Sequence, residues 1–228
     1  MLNQLTLGVS LKDEATFANF YSGRNVELVT ELKNTASGQG ERMVYVCGSG
    51  GQGRTHLLQA CCHFAHQHGL RPVYLPLALN YSPEIFQGLE CLSLICIDDI
   101  HVIAGHAEWE EAVFHAYNRI LSQGGRLIIT ANSLPKGLKI SLPDLASRLA
   151  GGMIYPLQPL SDEEKLKVLI MRAGQRGMTL SEEVGKFLLT HCPRHMTTLF
   201  AALDALDKAS LAAQRRLTVP FVKAVLQI

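Results

Sequence analysis

The chain has 228 residues, of which 47% are hydrophobic and only 18% charged, with a formal net charge of +1. That length holds one mid-sized domain plus a small one, and the composition is that of a packed globular protein, which excludes a disordered chain. A near-neutral balance without a long basic run gives no electrostatic case for a nucleic-acid or membrane surface, and no apolar stretch approaches the roughly 18 residues of a membrane span.

In chain order, residues 1–12 hold Gln4, Leu5, Thr6 and Leu7 and end at Lys12, before any element is established. Such a tail reads either as a frayed arm or as a linear peptide that docks Gln4, Leu5 and Leu7 in a partner's groove. Phe17, Phe20 and Tyr21 precede Gly23, and Val26, Leu28, Val29 and Leu32 then fall at helical spacing. The polar stretch 37–41 leads into an apolar run, Met43, Val44, Tyr45, Val46 and Cys47, which reads as a buried strand.

The next eight residues organise the whole reading: Gly48-Ser-Gly50-Gly51-Gln-Gly53-Arg54-Thr55. Strand, glycine loop and helix form the context of a phosphate site. Backbone N–H groups curl around an anion only where no side chain blocks the approach, and the helix adds its own unpaired N–H groups. The spacing is that of a P-loop with Arg54 in place of the usual Lys. Gly48, Gly50 and Gly53 also spell the dinucleotide fingerprint G-x-G-x-x-G, which requires an acid about 20 residues further on. None occurs between Gly53 and Glu84. The P-loop instead needs a hydroxyl for Mg²⁺ and an acidic pair closing a later strand, and Thr55 with Asp98 and Asp99 supply them.

Beyond the loop, strands and helices alternate. A helix over 55–68 stops at Gly69, Val73, Tyr74 and Leu75 form a strand, a short helix starts near Pro83, and residues 93–97 make the strand that ends in the acids. An amphipathic helix over 108–121 carries Trp109, Val113, Tyr117, Ile120 and Leu121 on its apolar side, a fourth strand at Leu127 to Ile129 ends at Asn132, and 153–157 is a fifth. Strands this apolar, joined by helices, predict a five-stranded parallel sheet covered on both faces. Past Pro159 only helical patterns occur, over 162–176, 182–191, 196–213 and 218–227. The expected organisation is a tail (1–12), an α/β nucleotide-binding domain (13–158) and a smaller all-helical lid (159–228).

These features together resemble an AAA+ ATPase domain. More narrowly the chain resembles the DnaA-related family of regulatory inactivators, short relatives of the bacterial initiator DnaA. Residues 4–7, Phe17-Ala18-Asn19-Phe20, Ile97-Asp98-Asp99, Tyr117-Asn118-Arg119-Ile120-Leu121, 142–148, 157–163 and 217–223 carry this resemblance along essentially the whole chain. The last residues follow the lid directly, so no DNA-binding domain of the DnaA kind is expected. The resemblance implies phosphate binding by Gly48, Gly50, Gly51, Gly53 and Arg54, with Thr55 and Asp98 holding Mg²⁺. It also implies water orientation at Asp99, where many AAA+ proteins carry Glu, and γ-phosphate sensing by Asn132, whose plainer reading is a polar strand end. It implies docking of Gln4, Leu5 and Leu7 on the DNA polymerase III beta sliding clamp, so that DNA is reached only through the clamp, and it places Arg148 as an arginine finger toward DnaA. The plainer reading of Arg148 is a solvated arginine favoured by a helix dipole. Asn118 is a weaker candidate for the same interface.

Three departures matter. Arg54 presents a planar guanidinium where lysine offers a compact ammonium. Asp99 is shorter than Glu, and Thr197 stands where relatives carry a lid arginine, with Arg194 three residues earlier as a stand-in if the helix begins early. The first two favour nucleotide binding over turnover, and the third weakens the coupling between nucleotide and lid orientation; the resemblance implies that the adenine nucleotide held is ADP. The expected function is therefore inhibition of replication initiation through hydrolysis of DnaA-bound ATP. The alternatives are an autonomous ATPase such as a helicase loader and a scaffold without finger activity. Homo-oligomer formation is left open. Six cysteines read as reduced core thiols, which with the lack of a leader pattern points to the cytoplasm. Cys62 and His66 lack a second ligand pair for zinc, and no G-x-S-x-G elbow supports a serine hydrolase.

Overall fold

The computed structural model describes residues 11–228 apart from Asp13 and Asn80, so Gln4, Leu5 and Leu7 lie outside the described residues. Strands β1 (Met43–Cys47), β2 (Pro72–Pro76), β3 (Leu94–Asp98), β4 (Arg126–Ala131) and β5 (Met153–Pro156) form one sheet in the order β2-β3-β4-β1-β5. Every pairing is parallel. The first unit ends at Gln158 and contains helices α1 (Val26–Ala36), α2 (Arg54–Gln67), α3 (Ala107–Ser122) and α4 (Pro143–Ala150).

Alternation along each strand feeds two cores. Tyr45, Ile95, Ile97, Leu127 and Ile129 pack with Val113 and Ile120 of α3 and with Leu145 and Leu149 of α4. Val44, Val46, Leu94, Cys96 and Ile128 pack on the other face with Leu28 and Leu32 of α1 and Leu57, Leu58 and Cys61 of α2. Both faces of the central strands β1, β3 and β4 are thus covered, which is why they read as unbroken apolar runs, while the edge strand β5 is only half-buried. Each fully buried Leu or Ile contributes about 1.5–3 kcal/mol by leaving water.

The register decides where the loops arrive. Cys47 pairs with Ala131 and Ile97 with Ile129, so β1, β4 and β3 finish side by side. The P-loop, the acidic pair and the end of β4 therefore share the carboxyl edge of the sheet, where open α/β sheets place ligands.

Some local expectations shift. The turn at Pro83–Phe86 is a single 3₁₀ turn, because Gln87 and Gly88 leave the helical region directly after it. Leu11 packs against the α1/α2 core and the Lys12 N–H donates to Gln59 Oε1 at 3.1 Å, so the last two residues of the expected tail lie against the folded body.

The second unit, Pro159–Ile228, is helical: α5 (Asp162–Gln175), α6 (Glu182–His191), α7 (Met196–Ala213) and α8 (Val219–Leu226). Ser161 and Glu164 form a reciprocal capping box, Ser181 caps α6 and Thr218 caps α8, devices worth about 1 kcal/mol each. Leu169, Leu188, Leu199, Leu203, Leu206 and Val222 make its own core. Among the described residues no helix is long and apolar enough to cross a membrane.

Candidate nucleotide site

The P-loop leaves β1 at Gly48 and enters α2 at Arg54. Gly51 and Gly53 adopt φ of 77° and 104°, the left-handed region that lets the chain curl. A Cβ at Gly50 would meet nothing within 4 Å, whereas one at Gly53 would come within 2.9 Å of the Phe20 ring. The segment before α1 therefore lies across the loop, with Phe20 also 5.5 Å from the His56 ring and His56 Nε2 2.8 Å from Thr16 O.

Asp98 sits at the centre of the polar network. It is only 3% exposed, and three hydroxyls satisfy its carboxylate. Thr55 Oγ1 and Tyr74 Oη donate to Oδ2 at 2.7 and 2.8 Å, and Thr130 Oγ1 donates to Oδ1 at 2.5 Å. The Asp99 N–H donates in turn to Thr130 Oγ1 at 2.9 Å, so the strand ends of β3 and β4 are tied through one hydroxyl. Burial and the neighbouring Asp98 charge push the Tyr74 phenol well up, which keeps it a donor.

Arg54 does not extend into the loop's mouth. Its Nη1 donates to Gly48 O and its Nη2 meets Asp99 Oδ1 at 2.7 Å, with the residue 9% exposed. Its Nε and the Gln52 Oε1 are buried without a partner. Asp99 has a left-handed backbone, φ 60°, a conformation that Asp and Asn tolerate better than most residues. His101 Nδ1 lies 3.8 Å from the same Asp99 oxygen.

The residues fit a magnesium-bound phosphate group. Thr55 is exposed and touches Asp98, giving a hydroxyl and a carboxylate side by side, the hard oxygen donors that Mg²⁺ takes. Among the described residues no group of three or more His, Cys, Asp or Glu is placed to hold a metal by itself. Cys62 is buried in the core while His66 is exposed, so the two are not brought together as ligands. Asn132 is exposed, just past the end of β4 at the same edge of the sheet.

Arg148 lies elsewhere on the first unit. It is exposed in the last turn of α4, whose other face buries Leu145 and Leu149 completely. The entry to α4 is held by Glu110 of α3, a fully buried carboxylate. Glu110 Oε1 accepts from the Gly105 N–H at 2.7 Å, and Oε2 accepts from the Ser141 and Leu142 N–H groups at 2.9 and 2.8 Å. Tyr117 lies near enough for the positive charge of Arg148 to oppose the rise that burial imposes on its phenol. Asn118, half-buried, is the next residue on α3. In the second unit α7 begins at Met196, so Arg194 precedes the helix and pairs with Asp162 at 2.8 Å, while Thr197 is exposed.

Sequence reasoning missed Glu110, Tyr74 and the role of Thr130. Glu110 carried a signal: it stands three residues before Val113, on the apolar stripe of its helix, where an acid has to find buried donors.

The model of the bacterial DnaA ATPase domain matches residues 11–156. The chain belongs to that family. Residues 162–226 match the model described as the Hda lid domain, so the DnaA-type ATPase domain is followed by a lid of the Hda kind. Among solved structures, domain III of the Thermotoga maritima replication initiation protein DnaA superposes with a TM-score of 0.84 at 21% identity, covering 96% of this chain and 98% of that one. AMPPCP-bound DnaA from Aquifex aeolicus gives 0.74 at 23% identity, over 89% and 67% of the two chains. The Thermotoga maritima RuvB Holliday junction branch migration motor gives 0.70 at 15% identity, over 93% and 71%. These likenesses establish the AAA+ fold of this DnaA-family chain.

Proposed function

We propose that this protein is a negative regulator of replication initiation that stimulates hydrolysis of DnaA-bound ATP through Arg148, leaving inactive ADP-bound DnaA. The observation that carries this reading is the placement of Arg148. It is a permanently charged side chain exposed on a short helix that is pinned at one end by Glu110 and along one face by Leu145 and Leu149. A guanidinium held on a rigid element can enter a neighbour's site without reorganising, and one supplied in trans accelerates phosphoryl transfer about 10³–10⁵-fold by neutralising developing charge. Tyr117 of α3 lies within reach of its charge, and the half-buried Asn118, the next residue on that helix, is the candidate for the same partner surface.

The protein's own site would hold an adenine nucleotide, ADP in preference to ATP. The lineage supports the nucleotide, since relatives of this fold are known as complexes with AMPPCP. The P-loop N–H groups bind the phosphates, and Thr55 and Asp98 hold Mg²⁺, which neutralises phosphate charge when bound. Bound nucleotide then stabilises the fold by mass action and leaves the hydrolytic chemistry to the partner's site. Gln4, Leu5 and Leu7 dock on the beta sliding clamp, which brings Arg148 to DnaA only on clamp-loaded DNA.

The intact Thr55–Asp98 pair also supports an autonomous ATPase such as a helicase loader, whereas the engagement of Arg54 by Asp99 counts against it. The test is hydrolysis of DnaA-bound ATP with clamp-loaded DNA. The wild type accelerates it, and both Arg148→Ala and Gln4→Ala/Leu5→Ala abolish the acceleration. A wild type that leaves DnaA unaffected and turns over ATP alone makes the autonomous ATPase the correct account.

A further inference from the structure

Two departures from the usual P-loop pattern, Arg54 for Lys and Asp99 for Glu, meet in space. Arg54 Nη2 and Asp99 Oδ1 are 2.7 Å apart, with the side chains 10% and 28% exposed, and the other end of the guanidinium donates to the Gly48 carbonyl at the root of the loop. Lysine, with a single ammonium, cannot bridge a carbonyl and a carboxylate with the two arms of a planar fork. Asp99 is held in place for its part by its own N–H on Thr130 and by the left-handed backbone.

We infer that the Arg54–Asp99 ion pair is a latch within the nucleotide site. It withholds the loop cation from the phosphates and the carboxylate from water, so that the site holds nucleotide weakly and without turnover. A charge-assisted pair this well shielded has to be broken before Arg54 can reach a phosphate oxygen, and phosphate binding bears that cost. The inference rests on the reading of the P-loop as a nucleotide site. It goes beyond it by naming the internal competitor that sets the affinity.

The test is a double-mutant cycle on equilibrium binding of ADP and of ATP, with Mg²⁺, to the full-length protein, read by calorimetry or by a fluorescent nucleotide. Asp99→Asn keeps a side chain that tolerates the left-handed backbone and removes the charge that holds Arg54. Binding is expected to tighten about tenfold, the worth of one charge-assisted bond transferred from carboxylate to phosphate. Loss of repulsion between Asp99 and the phosphates also tightens binding, but independently of Arg54. The same Asp99→Asn change in an Arg54→Ala background separates the two. The latch predicts a gain at least about fivefold smaller in that background. Equal gains in both backgrounds, or no gain in either, overturn the latch while leaving the nucleotide site standing. Failure of the wild type and of every variant to bind any nucleotide overturns the nucleotide-site reading and the latch with it.

Discussion

Glu110→Ala is the substitution whose cost can be worked from the structure in most detail. Glu110 is fully buried and receives N–H groups from Gly105, Ser141 and Leu142 at 2.7–2.9 Å. Truncation leaves three backbone donors without their acceptor and opens a small void beneath the entry to α4. An orphaned buried donor costs about 1–3 kcal/mol, but Gly105 and Ser141 are exposed, so water recovers part of the loss and the net is about 3 kcal/mol. Against a usual total of about 5–15 kcal/mol, and at about 2–4 °C per kcal/mol for a chain of this size, the midpoint of thermal unfolding should fall by about 6–12 °C. Glu110→Gln retains one acceptor oxygen and turns an amide N–H₂ toward donors, so its fall should be about half as large. Circular dichroism melts of the three proteins check this. The stated role is refuted if Glu110→Ala melts within about 2 °C of wild type, because a carboxylate serving three N–H groups cannot be removed at no cost. A second consequence follows at temperatures where the variant is folded. With Ser141 and Leu142 released, α4 loses its fixed entry, so stimulation of DnaA-bound ATP hydrolysis should fall more than binding to DnaA does.

Thr55→Ala removes one of the hydroxyls on Asp98 and, on the proposed reading, a Mg²⁺ ligand, so nucleotide affinity should drop about tenfold with Mg²⁺ present and little in excess EDTA; an equal drop in both conditions contradicts the ligand role. Burial lowers the His56 pKa, against the raising effect of its bond to Thr16 O. The unfolded chain then binds the extra proton first, so this contribution to stability is complete above about pH 6.5 and is lost as pH falls below it. His56→Gln should flatten the loss of thermal stability between about pH 7 and 5.5, and an unchanged slope rejects the assignment. Thiol titration of the native protein should show Cys91, which is exposed, reacting fast and half-buried Cys192 more slowly. Cys47, Cys61, Cys62 and Cys96 should react only on unfolding, since all are buried and burial pushes Cys61 and Cys96 up and away from thiolate. Rapid modification of more than two native thiols contradicts that burial.

The parts legible in the sequence were those written in local pattern. Five apolar runs gave five strands because the central strands of a parallel sheet are buried on both faces and its edge strands are apolar enough to continue the pattern. The glycines of the loop announced its turn through backbone chemistry that needs no partner. The meeting of Thr55 with Asp98 was legible because a hydroxyl at a helix start and an acid at a strand end imply a common edge. What the sequence hid depends on strand order. Tyr74 reaches Asp98 because β2 neighbours β3, and Thr130 reaches it because β4 lies on the other side, neither of which any spacing encodes. Arg54 and Asp99 are 45 residues apart, so their substitutions read as two separate weakenings where the fold makes them one ion pair. The eight-residue helix α4 has too few turns to show a period, and its anchor, Glu110, lies on another helix.

The central claim is that Arg148 acts in the chemistry on DnaA and not merely in the contact. The most direct measurement is single-turnover hydrolysis of ATP preloaded on DnaA, with clamp-loaded DNA, as a function of the concentration of wild-type protein and of Arg148→Ala. The account predicts that the variant half-saturates at a concentration close to wild type and competes with it in mixtures. Its limiting rate at saturation should fall about 10³-fold or more, to the unstimulated value. A variant that reaches the wild-type limiting rate once enough is added would show that Arg148 serves binding alone, and the finger mechanism would be wrong.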